Sequence, residues 1–282
     1  MILPVPAKLK GWQPLTPSGV AAFANASMGR LFLVQFAAAA LIAASLVWFL
    51  ATDWFPSIRA AIHRLPARGE IRAGRLDWAD ESPQTLSEGH FLAFTVDLNH
   101  EDRLHLPTHV QVEFGRDSVR IYSLFGCAES GYPRDWTLPF NRSDLEPWWG
   151  AWEPPILWIS AGTTLVVLMG GWMLLATVYF LPVWLTGYYA NRDLSLLESW
   201  KMAGAAMAPG ALLMAAGIVL YGLGALDLVE WIITVCAHFL VGWLYLLMSP
   251  FCAPRLPSPV AIRGNPFTVP GDKRNRPRDR RT

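Results

Sequence analysis

The chain has 282 residues, 53% of them hydrophobic and 16% charged, with a mean hydropathy of +0.29 and a formal net charge of +1. Soluble domains carry roughly 25% charged residues, and here the shortfall is concentrated: no Asp, Glu, Lys or Arg occurs at 31–52, 154–191, 202–226 or 231–254. Each block exceeds the roughly 20 apolar residues that cross a bilayer core, which excludes a soluble enzyme, a disordered protein, a disulfide-stapled secreted mini-domain and an ordinary nucleic-acid binder.

Residues 1–30 open with Pro4, Pro6, Pro14 and Pro17, so regular structure is expected only from Ser18, as a short helix lying on the inner membrane surface. The first span is expected at about 31–51, within a transmembrane segment 31–52 whose one strongly polar side chain is Gln35. Its long leader and the flanking Trp48 and Trp54 fit an uncleaved signal-anchor better than a short cleaved signal.

Residues 53–153 read as an α+β domain. Phe55, Ile58, Ile62 and Leu65 recur at helical spacing until Pro66. Strand-like stretches follow at 70–78, 91–97 and 110–114, the last joined through Gly115-Arg116-Asp117 to 119–125 as a hairpin. The second span is expected at about 156–181, continuing as helix through the uncharged aromatic run to Tyr189. Ser195 and Glu198 form a capping-box pattern that starts an elbow helix near 195–207. Pro209 and Gly210 predict a kink just inside the third span. That span closes near Gly224, and the fourth runs about 228–250, so that 154–254 holds spans two to four. The tail, 255–282, is rich in Pro, Arg and Lys and reads as disordered.

Charge is segregated along this plan. Lys8, Lys10 and Arg30 precede the first span, 53–153 holds ten Arg against sixteen Asp and Glu, and the tail holds eight basic residues against two acidic ones. Lys and Arg collect in cytoplasmic loops, so both termini are expected in the cytoplasm. Four spans then place 53–153 outside, 187–201 inside and the turn near 224–228 outside. Tryptophan favours the headgroup level, which suits Trp54, Trp148, Trp149, Trp152 and Trp231 at the outer interface and Trp184 and Trp200 at the inner one. Trp172 and Trp243 fall within spans as packing residues.

Candidate chemistry is sparse. His238 is the one ionisable side chain of the span cores apart from tyrosine and cysteine, and with Gln35 and Tyr221 it forms a candidate intramembrane polar site. The competing reading is a neutral histidine bonded within the bundle. His100, His105 and His109 lie beside Glu101 and Asp102 as weak zinc-ligand candidates, but Pro107 breaks the helix that would align His105 with His109, and a solvated loop fits better. Cys127, Cys236 and Cys252 are dispersed, so no disulfide framework is expected. Phosphate-loop and nucleophile-elbow patterns are absent and no cofactor is implied. Small residues at 203–206 and 215–217 offer faces for close helix packing. Lys273, Arg274, Arg276, Arg278, Arg280 and Arg281 are candidate contacts to anionic lipid, at about 1 kcal/mol per charge near the surface.

The order of anchor helix, outer domain and helical bundle, with the run Leu65-Pro66-Ala67-Arg68-Gly69-Glu70-Ile71-Arg72-Ala73-Gly74-Arg75-Leu76 and the elbow 195–200 before Pro209, resembles an uncharacterised bacterial family grouped with the Yip-type (Ypt-interacting-protein-like) membrane proteins. The resemblance implies a membrane-embedded adaptor in membrane organisation or trafficking and carries over no catalytic residue. The expectation is therefore a membrane α-helical protein, a four-span bundle with an extracytoplasmic α+β domain inserted between spans 1 and 2, in a bacterial inner membrane. Its expected role is a non-enzymatic adaptor or accessory subunit whose partners are membrane lipids and a protein or second copy of the chain, not nucleic acid. The alternatives are a small transporter or lipid-handling subunit working around His238, and a metal-dependent extracytoplasmic enzyme.

Overall fold

Thr16 opens the first helix, α1 (Pro17–Ala22), by accepting the Gly19 N–H at 3.1 Å. The computed structural model describes residues 13–99 and 106–256. Val20 of α1 and, in the turn that follows it, Phe23 and Ala24 are buried in one cluster with Leu31, Val183 and Met202, while Ser18 stays exposed, so the segment covers the end of the bundle with an apolar face.

Ser27 caps α2 (Met28–Phe49). That helix passes through a wide π turn, Leu50–Trp54, into α3 (Phe55–His63), giving one rod, Met28–His63, where the sequence suggested a span and a separate helix. Asp53 ends the uncharged block but does not break the helix. The Thr52 hydroxyl donates to the Trp48 carbonyl at 2.9 Å and the Ser57 hydroxyl to the Asp53 carbonyl at 3.3 Å, satisfying backbone loosened by the wide turn.

The second long helix, α4 (Arg142–Tyr189), starts well before the expected position near 156. The Asn141 side chain accepts the Asp144 N–H at 3.0 Å, and the helix then tolerates Pro147, Pro154 and Pro155. Packing against α3 holds it there: Phe55 meets Trp149 edge-on at 5.1 Å, and Arg59 pairs with Glu153 at 3.6 Å. Trp149 is thus buried in the contact between α3 and α4. Forty-eight residues at roughly 1.5 Å each reach about 72 Å, well over the roughly 30 Å of a bilayer core. The first turns of α4 and all of α3 therefore form a two-helix stalk.

The expected capping box at Ser195 and Glu198 opens α5 (Leu196–Ala205). The chain breaks at Ala206-Met207 and resumes as α6 (Ala208–Gly222), since Pro209 has no N–H to continue the ladder. After a turn with Gly224 at φ +70°, a second capping box, Asp227 with Glu230, opens α7 (Leu228–Met248). Among the described residues, four helices are thus long and apolar enough to cross a membrane. The α5–α6 unit is the most enclosed, while α4 and α7 leave most of their apolar surface uncovered.

Between α3 and α4 the described residues form eight strands: β1 (Gly69–Arg72), β2 (Arg75–Trp78), β3 (Gln84–Ser87), β4 (Leu92–Val96), β5 (Val110–Phe114), β6 (Ser118–Ser123), β7 (Gly126–Gly131) and β8 (Thr137–Pro139). One sheet has the order β2-β1-β8 and the other β3-β4-β5-β6-β7, with β4 and β5 parallel and the other pairs antiparallel. The stretch 70–78 is the β1–β2 hairpin, reversed at Ala73 (φ 51°) and Gly74 (φ 78°), the left-handed pair that a two-residue turn requires. The sequence did not reveal β3, β7 or β8. Every residue of β7 is exposed, so it has no buried face and no period-2 signal. Leu86, Val96, Ile71 and Phe140 cluster with Ala61 of the stalk and Leu65 just after it, forming a core distinct from those of the bundle.

Candidate functional site

The three polar residues singled out in the spans are held by three different partners. Gln35 is buried on α2, and its Nε2 donates at 3.2 Å to the Gly204 carbonyl, one of the last carbonyls of α5. The break before Pro209 exposes that carbonyl, so Gln35 acts as a cap reaching across from another helix. Its Oε1 is left without a partner. The Nδ1 of His238 lies 2.5 Å from the Val235 carbonyl of its own helix. A carbonyl only accepts, so Nδ1 is the donor in this bond. Tyr221, at the last turn of α6, bonds out of the bundle to His109, its hydroxyl 2.6 Å from Nδ1. None of the three bonds to another, so they do not form one polar centre.

His109 and Tyr221 belong instead to an aromatic joint between the strands and the bundle. Phe91, just before β4, is buried between Phe49 of α2 at 5.1 Å and Tyr221 at 4.8 Å. His90 lies 4.7 Å from the His109 ring, and Trp231 of α7 stacks on Tyr221 at 5.2 Å. Burial, and then the adjacent His90 imidazole, hold the His109 pKa below its usual 6.5, against an opposing pull from the Asp227 carboxylate. A phenol hydroxyl both donates and accepts, so the joint keeps its bond in either imidazole tautomer.

A groove of about 260 Å³ opens between α4, α6 and α7. Its walls include Ile42 of α2, Thr164, Trp172 and Tyr179 of α4, Met214 of α6 and His238 of α7. Phe239 and Trp243, both more than half exposed, stand at its mouth. The volume falls just under the roughly 300–1,000 Å³ of small-molecule pockets, and the lining is almost wholly hydrocarbon and aromatic. Such a groove admits a single chain rather than a polar headgroup. A second concavity, of about 610 Å³ between β1, β2 and Arg116, is charged and open, with Arg72 paired to Glu70 at 3.8 Å and Arg75 to Asp117 at 3.1 Å.

His100 and His105, and the tail from Lys273 and Arg274 through Arg276, Arg278, Arg280 and Arg281, lie outside the described residues. Among the described residues no three His, Cys, Asp or Glu side chains are grouped to hold a metal ion, and His109 is committed to Tyr221. Sequence reasoning placed Trp172 and Trp243 in the spans as packing residues but did not show that they wall the same groove. Nothing in the local sequence of Phe91 or His90 announced the joint. No protein-family model, no curated protein and no solved structure matches this chain.

Proposed function

We propose that the protein is a non-enzymatic, four-span accessory component of a bacterial cytoplasmic membrane that holds a lipid acyl chain in the groove between α4, α6 and α7. The observation that carries this reading is the groove itself: it lies at mid-helix in three candidate spans, is lined by apolar side chains, and opens between the two helices whose surfaces are least covered. Hydrocarbon is the medium such a mouth would meet. The segregation of Lys and Arg to both ends of the chain supports cytoplasmic termini and an extracytoplasmic strand domain. The resemblance to Yip-type proteins, carried by the runs 65–76 and 195–200, fits the same role in membrane organisation.

Filling the groove tests this. Gly242 lies in its wall, and an added Cβ there would meet only Met207 and the Ala206 carbonyl at 3.9–4.0 Å. Gly242→Ala should therefore fold and retain lipid, whereas the folded fraction of Gly242→Leu should lose the lipid that copurifies in mild detergent, as read by native mass spectrometry. Equal lipid on both variants would refute the reading.

A second reading, an adaptor that binds a partner's helix, is favoured by α4. At Gly162, Gly170 and Gly171 an added Cβ would meet nothing within 4 Å, so the backbone stands open to close approach. Stoichiometric copurification of a membrane protein that is lost on Gly170→Leu would favour it.

A further inference from the structure

The β6–β7 hairpin ends in two large exposed apolar residues, Leu124 at 56% and Phe125 at 86% relative exposure. Strand register shows which way this tip faces. Leu92 pairs with Val110, Val110 with Ser123, and Ser123 with Gly126, so residues 124–125 project from the same end of the sheet as Phe91 and His109. That end meets Phe49, Tyr221 and Trp231 at the ends of α2, α6 and α7. The opposite end, near Val96, clusters with Ala61 farther along the stalk and Leu65 just after it. The tip is therefore aimed at the surface of the bundle, yet neither β6 nor β7 packs extensively on any helix.

Charge on the hairpin follows the same axis. Residues 121–128 contain no Asp, Glu, Lys or Arg. The first charges are Arg120 and Glu129, register partners that pair with each other at 3.4 Å. They stand three residues above the turn, or about 10 Å at roughly 3.4 Å per residue. An uncharged cap of that depth matches the roughly 5–10 Å to which interfacial elements sink between headgroups and acyl chains.

We infer that the Leu124-Phe125 tip inserts into the lipid interface on the strand domain's side of the membrane, giving that domain an anchor in lipid besides the stalk and the aromatic joint. This rests on the reading of the four long helices as spans.

Native Cys127 is exposed on the same tip and supplies the probe. Full-length protein with Cys236→Ser and Cys252→Ser would be nitroxide-labelled at Cys127 and reconstituted in phosphatidylethanolamine–phosphatidylglycerol vesicles. Collision with lipid-soluble oxygen is then compared with collision with a water-soluble nickel chelate. V166C, at an exposed mid-helix position of α4 in a background lacking the three native cysteines, reports on the spans independently. The expected result is oxygen-dominated accessibility at both sites, with Cys127 shifting to chelate-dominated when Leu124→Asp and Phe125→Asp are introduced and V166C unchanged by them. A chelate-dominated Cys127 in the unaltered tip, beside an oxygen-dominated V166C, overturns the insertion and leaves the spans standing. Shielding of Cys127 from both reagents overturns it in favour of a covering protein. A chelate-dominated V166C overturns the span reading and the insertion together.

Discussion

His109 sets the direction in which pH acts on the joint. Its folded pKa lies below 6.5, so the unfolded chain takes up the proton more readily. The stability it contributes is fully present above pH 6.5 and is lost as pH falls through 6.5 toward the folded value. His90, Asp227 and Tyr221 surround it, and neutralising the carboxylate would weaken the folded joint's hold on a protonated ring. Melting of the detergent-solubilised protein should therefore fall as the pH drops below 6.5, and His109→Gln should flatten that fall. Equal slopes in the two proteins would assign the pH dependence elsewhere. The sequence singled out His109, but as a metal candidate beside His105. Its actual partner lies 112 residues away, and no local pattern encodes such a pairing. Gln35 was legible as an intramembrane polar residue for a sound reason, the expense of burying an amide. What it satisfies, the Gly204 carbonyl, depends on where α5 breaks.

Small residues let the helices approach. An added Cβ at Gly210 would lie 2.5 Å from the His238 carbonyl oxygen, and one at Gly217 would lie 2.7 Å from the Thr234 methyl. Gly210→Val should push α6 off α7 and destabilise the bundle by about 1–3 kcal/mol, the usual range for overpacking. Gly162→Ala, with open space around it, should be neutral or stabilise by up to about 1 kcal/mol, the helix preference of Ala over Gly. Thermal melting of the two variants decides the matter, and indistinguishable melting would mean that the contact is not tight. The small faces at 203–206 and 215–217 were visible in sequence, and the structure seats Gly204 on Leu31 and Gln35 and Gly217 on Trp231 and Thr234. Gly210 was visible only as the neighbour of a kinking proline. The Ser195 capping box was readable because it is closed within four residues. The equivalent Asp227–Glu230 box is just as local.

The strand domain and the bundle are coupled through a few aromatic rings as well as through the stalk. Phe91→Ala removes the buried ring shared by Phe49, Tyr221 and His109. It should cost about 3–5 kcal/mol at that joint and speed trypsin cleavage within the strand domain while the bundle fragment survives. Unchanged cleavage would mean that the stalk alone holds the domain. Composition and local pattern determined the four long apolar helices, the segregation of charge, the α5 cap and the break at Pro209, because each depends on residues within a few turns of one another. Only the tertiary structure decided that α2 and α3 form one rod, that α4 begins at Arg142 against α3, and that β7 pairs without a buried face. The groove around His238 and the joint at Tyr221 were also decided there, since each is lined by residues from several helices or strands whose proximity arises only when apolar and aromatic surfaces distant in sequence pack together.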